Sequence, residues 1–201
     1  MDSAPWRDDA VYLPDTVRSA VKILIVGHFA VGKTTMVGTL SEITPLSTEE
    51  TMTQAGATVD DLAGVEGKST TTVAMDFGRI TLNAHLVLYL FGAPGQKRFQ
   101  QLWRDMAYGA LGALVLADTR RLDRSFPVMD MLEEYGLPYA VAVNHFDDAP
   151  TFGESELRGA LDLLDETPLV MCDARDRPSA LAALIALVQY LQTRTHQQER
   201  V

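Results

Sequence analysis

The stretch Ala20-Val21-Lys22-Ile23-Leu24-Ile25-Val26-Gly27-His28-Phe29-Ala30-Val31-Gly32-Lys33-Thr34 decides the fold. Its first seven residues are almost wholly apolar and β-branched, the pattern of a central parallel strand covered on both faces. Gly27 ends that strand, and Gly27 to Thr34 match G-x-x-x-x-G-K-[S/T] between a buried strand and the start of a helix. Glycines let the backbone curl so that successive N–H groups donate to phosphate oxygens, while the following helix presents its positive end. In that geometry Lys33 neutralises the β- and γ-phosphates and the Thr34 hydroxyl ligates Mg²⁺. Gly27, Ala30, Val31, Gly32, Lys33, Thr34 and Thr35 are therefore the predicted phosphate-side contacts.

Working outward, residues 1–19 are polar, carry Pro5 and Pro14, and read as an arm. A helix is predicted from Lys33 to about Ser41, closed by Pro45. Residues 45–70 hold Gly56, Gly64, Gly67 and many threonines without apolar periodicity, which predicts a long functional loop. Strands are predicted over Thr72 to Phe77 and Ile80 to Phe91, joined as a hairpin at Gly78-Arg79. Phe99, Leu102, Trp103 and Met106 have helical spacing, and Phe99, Trp103 and Tyr108 offer either a partner surface or packing on the sheet. Ala113 to Ala117, Tyr139 to Val143 and Leu169 to Met171 read as further strands. Helices are expected from Phe126 to near Gly136 and around Ser155 to Leu164, and a closing helix is expected to bury Leu181, Leu184, Ile185, Val188 and Leu191. The order predicts an α/β fold: a P-loop, mostly parallel six-stranded sheet with one antiparallel edge and helices on both faces. Residues 20–195 form one domain and 196–201 a tail.

Composition narrows the setting. A chain of 201 residues with 47% apolar and 22% charged residues has enough apolar surface for one packed core. A formal charge of -10 repels polyphosphate backbones, which argues against nucleic acid as a partner. Cys172 is the only cysteine, so no intrachain disulfide forms and a cytoplasmic address is expected. No apolar run reaches the roughly 20 residues that span a bilayer, so no direct membrane insertion is expected and any peripheral membrane contact runs through partners.

Base choice is read after the strand Tyr139 to Val143, where Asn144-His145-Phe146-Asp147 resembles the N-K-x-D guanine motif of Ras-like GTPases, with His145 in place of lysine. A carboxylate at Asp147 accepts from both N1–H and the exocyclic amine of guanine, a donor pair that adenine lacks. Cys172-Asp173-Ala174-Arg175 is similar to the family's [S/C]-A-K loop, in which Ala174 would give its N–H to the guanine carbonyl. Phe91-Gly92-Ala93-Pro94-Gly95-Gln96 lies where the superfamily has D-x-x-G-Q. There Gly95 would donate to the γ-phosphate and Gln96 would orient the attacking water. Gly92 stands where the family's magnesium-holding aspartate belongs. Asp76 on the preceding strand is either its substitute or a solvated strand carboxylate. Thr72 aligns best with the metal-sensing switch threonine, with Thr70 and Thr71 as rivals.

With these departures the chain resembles bacterial Ras-like GTPases of the Mgl polarity and conservon type, the conservon members most closely. The resemblance runs from about Lys22 to Arg175 and rests on Thr72-Val73-Ala74-Met75-Asp76-Phe77-Gly78 and Gly92-Ala93-Pro94-Gly95-Gln96. It implies a GTP/GDP switch with Mg²⁺ in bacterial signal transduction, with Lys33 and Gln96 as catalytic residues. It also implies a roadblock-type regulator and a sensor-kinase-like complex as partners. The polarity members' switch arginine falls at Thr71 here, and Lys68 and Arg98 are the nearest basic residues, so slow, partner-stimulated hydrolysis is expected. Two alternatives stay open: a pseudo-GTPase interaction module and a P-loop small-molecule kinase.

Overall fold

The computed structural model describes residues 16–52, 71–93 and 100–198. Strand β1, Ser19–Val26, is buried along its second half and pairs in parallel with β4, Leu86–Gly92, on one side and β5, Ala110–Ala117, on the other. Its position between two partners explains the unbroken apolar run: alternate side chains enter two different cores. Leu24 and Val26 point into one, with Trp103, Met106, Val128, Leu132 and Leu157. Ile23 and Ile25 enter the other, with Met36, Val37, Leu40, Ala180, Leu184 and Leu187.

Those partners lie on helices α1 (Lys33–Leu40) and α5 (Arg177–Gln198) on one face, and α2 (Gln100–Ala107), α3 (Phe126–Glu134) and α4 (Glu154–Ala160) on the other. The remaining strands are β2 (Leu46–Met52), β3 (Thr71–Asn83), β6 (Tyr139–Asn144) and β7 (Leu169–Cys172), and the sheet order is β2-β3-β4-β1-β5-β6-β7. From β4 to β7 the neighbours are parallel, and β3 runs antiparallel to both β2 and β4. This is the α/β, mostly parallel architecture expected, with helices on both faces.

Two local expectations are corrected, and one choice between two readings is decided. A seventh strand, β2, occupies the start of the segment read as a loop. Its residues Leu46-Ser47-Thr48-Glu49-Glu50-Thr51-Met52 carry no apolar alternation, and its place is set by edge pairing with β3. The hairpin does not turn at Gly78-Arg79, because β3 continues to Asn83 and the chain reverses at Ala84-His85. There the Asn83 side chain accepts from the His85 N–H at 2.9 Å, an Asx turn. Gly78 serves close approach instead: a Cβ there would lie 2.9 Å from Val37 Cγ1 and 3.0 Å from Ser41 Cβ, so its absence lets α1 lie on β3. Finally, Trp103 is fully buried in the core, so it forms no partner surface, whereas Tyr108 is exposed. Phe99 lies outside the described residues. Among the described residues no helix is long and apolar enough to cross a membrane.

Candidate functional site

The parallel strands β1, β4, β5, β6 and β7 all deliver their carboxyl ends to one rim of the sheet, where open α/β sheets bind ligands. β3 is antiparallel, so it brings a residue from its early part to the same rim: Asp76 pairs with Gly92, the last residue of β4.

The phosphate loop is built by its glycines. Gly27 has φ 142° and Gly32 has φ 106°, conformations disfavoured for residues with a Cβ. A Cβ on Gly27 would sit 2.5 Å from the Leu116 carbonyl oxygen, and one on Gly32 would sit 2.6 Å from Asn144 Nδ2. Ala30 also adopts a left-handed φ of 63°. Gly32 is the N-cap of α1, and the Met36 N–H donates to its carbonyl at 2.8 Å. Lys33 folds back over the loop, its Nζ donating to the carbonyls of Gly27 at 3.0 Å and His28 at 2.7 Å. Burial pushes the Lys33 ammonium down to about 8, partly opposed by the negative charge of Asp76.

Thr34 Oγ1 donates to Asp76 Oδ2 at 2.6 Å, and Asp76 is buried. The solvated reading of Asp76 is thereby overturned. Its carboxylate reaches the threonine of the phosphate motif across the space that Gly92 leaves open, since a Cβ on Gly92 would lie 3.1 Å from both Asp76 Cβ and Oδ2. Asp76 is the residue paired with Gly92 across the antiparallel β3–β4 ladder. A hydroxyl and a carboxylate are hard oxygen donors of the kind Mg²⁺ takes, so this pair fits that ion. Among the described residues no group of three or more His, Cys, Asp or Glu forms a protein-only metal cage. Thr72 lies upstream on β3 in register with Thr51 of β2, and Thr71 with Met52. Thr70, Gly95, Gln96, Lys68 and Arg98 lie outside the described residues.

The predicted base residues converge on a cleft of about 430 Å³ beside the phosphate loop, lined by Ala30, Gly32, Thr35, Asn144, Asp147 and Ala174 among others. Asn144 is buried and ties three segments together: Nδ2 donates to the Val31 carbonyl and Oδ1 accepts from the Ala174 N–H, both at 2.9 Å. That second bond corrects one expectation, because the Ala174 N–H here serves Asn144 and does not point into the cleft unpaired. Asp147 has a side chain 82% exposed, with Arg175 Nη2 at 3.4 Å and His145 Nε2 at 3.5 Å from Oδ1. Arg175 in turn holds Asp173 at 2.9 Å.

Asp118 and Arg120, which follow β5 directly, were not among the predicted site residues. The available signal was their place, a charged pair at the carboxyl end of a buried parallel strand. Asp118 is buried, and Arg120 Nε donates to its Oδ1 at 3.0 Å while Nη2 donates to Oδ2 at 2.8 Å. Burial alone would raise the Asp118 carboxyl, but the hydrogen bonds from Arg120 hold it below the ordinary aspartate range. His28 of the phosphate loop approaches the same carboxylate, Nε2 to Oδ2, at 3.9 Å. Its Nδ1 lies 2.6 Å from the Phe29 carbonyl oxygen, which can only accept, so Nδ1 carries the proton.

A family described as conserved hypothetical ATP binding protein matches residues 25–194, most of the chain. This protein belongs to that family. An uncharacterized protein of Methanocaldococcus jannaschii is 29% identical over 132 residues, 65% of this chain and 73% of the relative. Among solved structures, the G domain of the T. maritima FeoB iron transporter superposes with a TM-score of 0.58 at 18% identity, covering 86% of this chain and 99% of that one. The FeoB G-domain from Methanococcus jannaschii gives 0.57 at 17%, covering 87% and 99%. At those identities the likeness is one of fold. Family membership and the built phosphate loop make this a nucleotide-binding protein of G-domain architecture.

Proposed function

We propose that this family member binds GTP and GDP with Mg²⁺ and acts as a slow GTPase switch. The observation that carries the reading is the cleft beside Gly32: Asn144 joins the phosphate loop to the Ala174 loop, and Asp147 lines the same cleft with an accessible carboxylate. An acceptor there suits the N1–H and exocyclic amine of guanine. Gly27, Ala30, Val31, Gly32, Lys33 and Thr35 would take the phosphates. Thr34 and Asp76 would hold Mg²⁺, which would supply charge neutralisation at the transferred phosphoryl group. The similarity to conservon GTPases further supports Gly95 and Gln96 as the γ-phosphate donor and the water-orienting group. It also supports Thr72 as the switch threonine, bacterial signal transduction as the setting, and a roadblock-type regulator with a sensor-kinase-like complex as partners.

A second reading, adenine nucleotide, is favoured by the family's description as an ATP-binding protein. Titration of purified protein with GTP, GDP and ATP in the presence of Mg²⁺, for wild type and Asp147→Ala, separates them. Guanine preference that disappears in the variant supports the proposal. Adenine preference in both proteins sinks the base assignment and leaves the phosphate site standing. Single-turnover hydrolysis then tests the switch: bound GTP that never converts to GDP, alone or with a regulator, would leave only a binding module.

A further inference from the structure

Resting on the guanine reading, we infer that Arg120 is a specificity-positioning residue that fixes the loop carrying Asp147. Asp147 itself is exposed, and its contacts with His145 and Arg175 are long at 3.5 and 3.4 Å. Those contacts alone are too loose to aim a carboxylate at one pair of donors. Its two chain neighbours are held far more firmly, and by the same guanidinium. The Arg120 Cζ lies 3.9 Å from the Phe146 ring centroid, a stacked contact, and Nη1 donates to Asp148 Oδ1 at 2.7 Å. Arg120 is anchored in turn by the two-oxygen grip on buried Asp118, and its own N–H donates to Asp118 Oδ1 at 2.9 Å.

A planar guanidinium does this where an ammonium does not. It presents a fork to one carboxylate, a further donor to a second and a flat face to an aromatic ring at the same time. The anchor, Asp118, directly follows β5 (Ala110–Ala117), a central strand, so the base loop is tied to the sheet through Asp118. Phe146 and Asp148 also line the cleft with Asp147. Arg120 therefore acts on the base through the position of Asp147.

The test compares equilibrium affinities for GTP and ITP, which lacks the exocyclic amine, in wild type, Asp147→Ala, Arg120→Ala and Arg120→Lys. Wild type is expected to prefer GTP on the order of 10- to 100-fold, the range of one charge-assisted hydrogen bond, and Asp147→Ala to lose that preference. Arg120→Ala should bring the GTP/ITP ratio close to that of Asp147→Ala, with a smaller loss of affinity for ITP, which gives Asp147 only its N1–H, than for GTP. Arg120→Lys should fail to restore the ratio. Equal losses for both nucleotides, or a retained wild-type ratio in folded Arg120→Ala, would overturn the inference and leave the guanine reading intact. If Arg120→Ala does not fold, Arg120→Lys decides: a lowered ratio supports the role and a wild-type ratio overturns it. Absence of any GTP/ITP preference in wild type would remove both the reading and the inference.

Discussion

Replacing Gly92 by aspartate places a second carboxylate on β4 while Asp76 still occupies the same space. A Cβ at Gly92 lies 3.1 Å from Asp76 Cβ and Oδ2, so the added carboxylate would come within about 4 Å of the existing one. Two like charges at that separation repel by about 4 kcal/mol at an effective dielectric constant near 20. Gly92→Ala carries only the crowding, about 1 kcal/mol for a contact that Asp76, tied to Thr34, has little freedom to relieve. Urea unfolding at pH 7.5 without Mg²⁺ should therefore rank Gly92→Asp about 2–4 kcal/mol below Gly92→Ala, with millimolar Mg²⁺ recovering part of the difference. In an Asp76→Asn background the two substitutions should cost nearly the same. The double variant Asp76→Asn with Gly92→Asp should also recover Mg²⁺-dependent nucleotide binding that Asp76→Asn loses. If Gly92→Asp destabilises equally with asparagine at position 76, the like-charge repulsion between positions 76 and 92 is wrong.

Lys33 makes nucleotide-free protein respond to alkaline pH. Its folded value of about 8 lies below the ordinary 10.5, so the unfolded chain binds more protons between these limits and stability should rise with pH across that window, on the order of 3 kcal/mol in total. Denaturant unfolding at pH 7.5 and 9.5 should show the rise in wild type and its loss in Lys33→Met. Asn144→Ala removes a buried donor and acceptor that serve Val31 and Ala174, and should cost about 2–4 kcal/mol by the same measurement, with a smaller loss for Asn144→Asp excluded by the Val31 carbonyl it would face. Gly78→Ala should lower stability by about 1–3 kcal/mol, read as a reduced melting temperature, because its methyl would meet Val37 and Ser41. An unchanged melt would mean that α1 can move off β3 without cost.

The phosphate loop and the order of strands were legible because they are written locally. Ala20 to Thr34 carries the apolar run, the two glycines and the lysine within one strand, one turn and the start of one helix. Asn144 was legible for a related reason, since it ends an apolar strand and is followed by Asp147. β2 was not legible, because a polar edge strand takes its conformation from its neighbour and not from its own pattern. The hairpin turn was misplaced because a glycine in a strand reads as a turn, whereas Gly78 answers to helix packing and Asn83 makes the turn. Trp103 could be read as surface or core from helical spacing alone, and only the packed sheet beneath it decides for the core.

Sequence by itself determined that this chain curls a glycine loop between a buried strand and a helix, because both hydrophobic periodicity and backbone freedom are properties of neighbouring residues. Tertiary structure alone decided which carboxylate meets that loop and what grips Phe146 and Asp148. Thr34 meets Asp76 from 42 residues away, Asp76 faces Gly92 through antiparallel register, and Arg120 reaches Asp148 across 28 residues. Register and the packing of loops on a common rim set those distances, and a one-residue slip of β3 would turn Asp76 to the opposite face of the sheet.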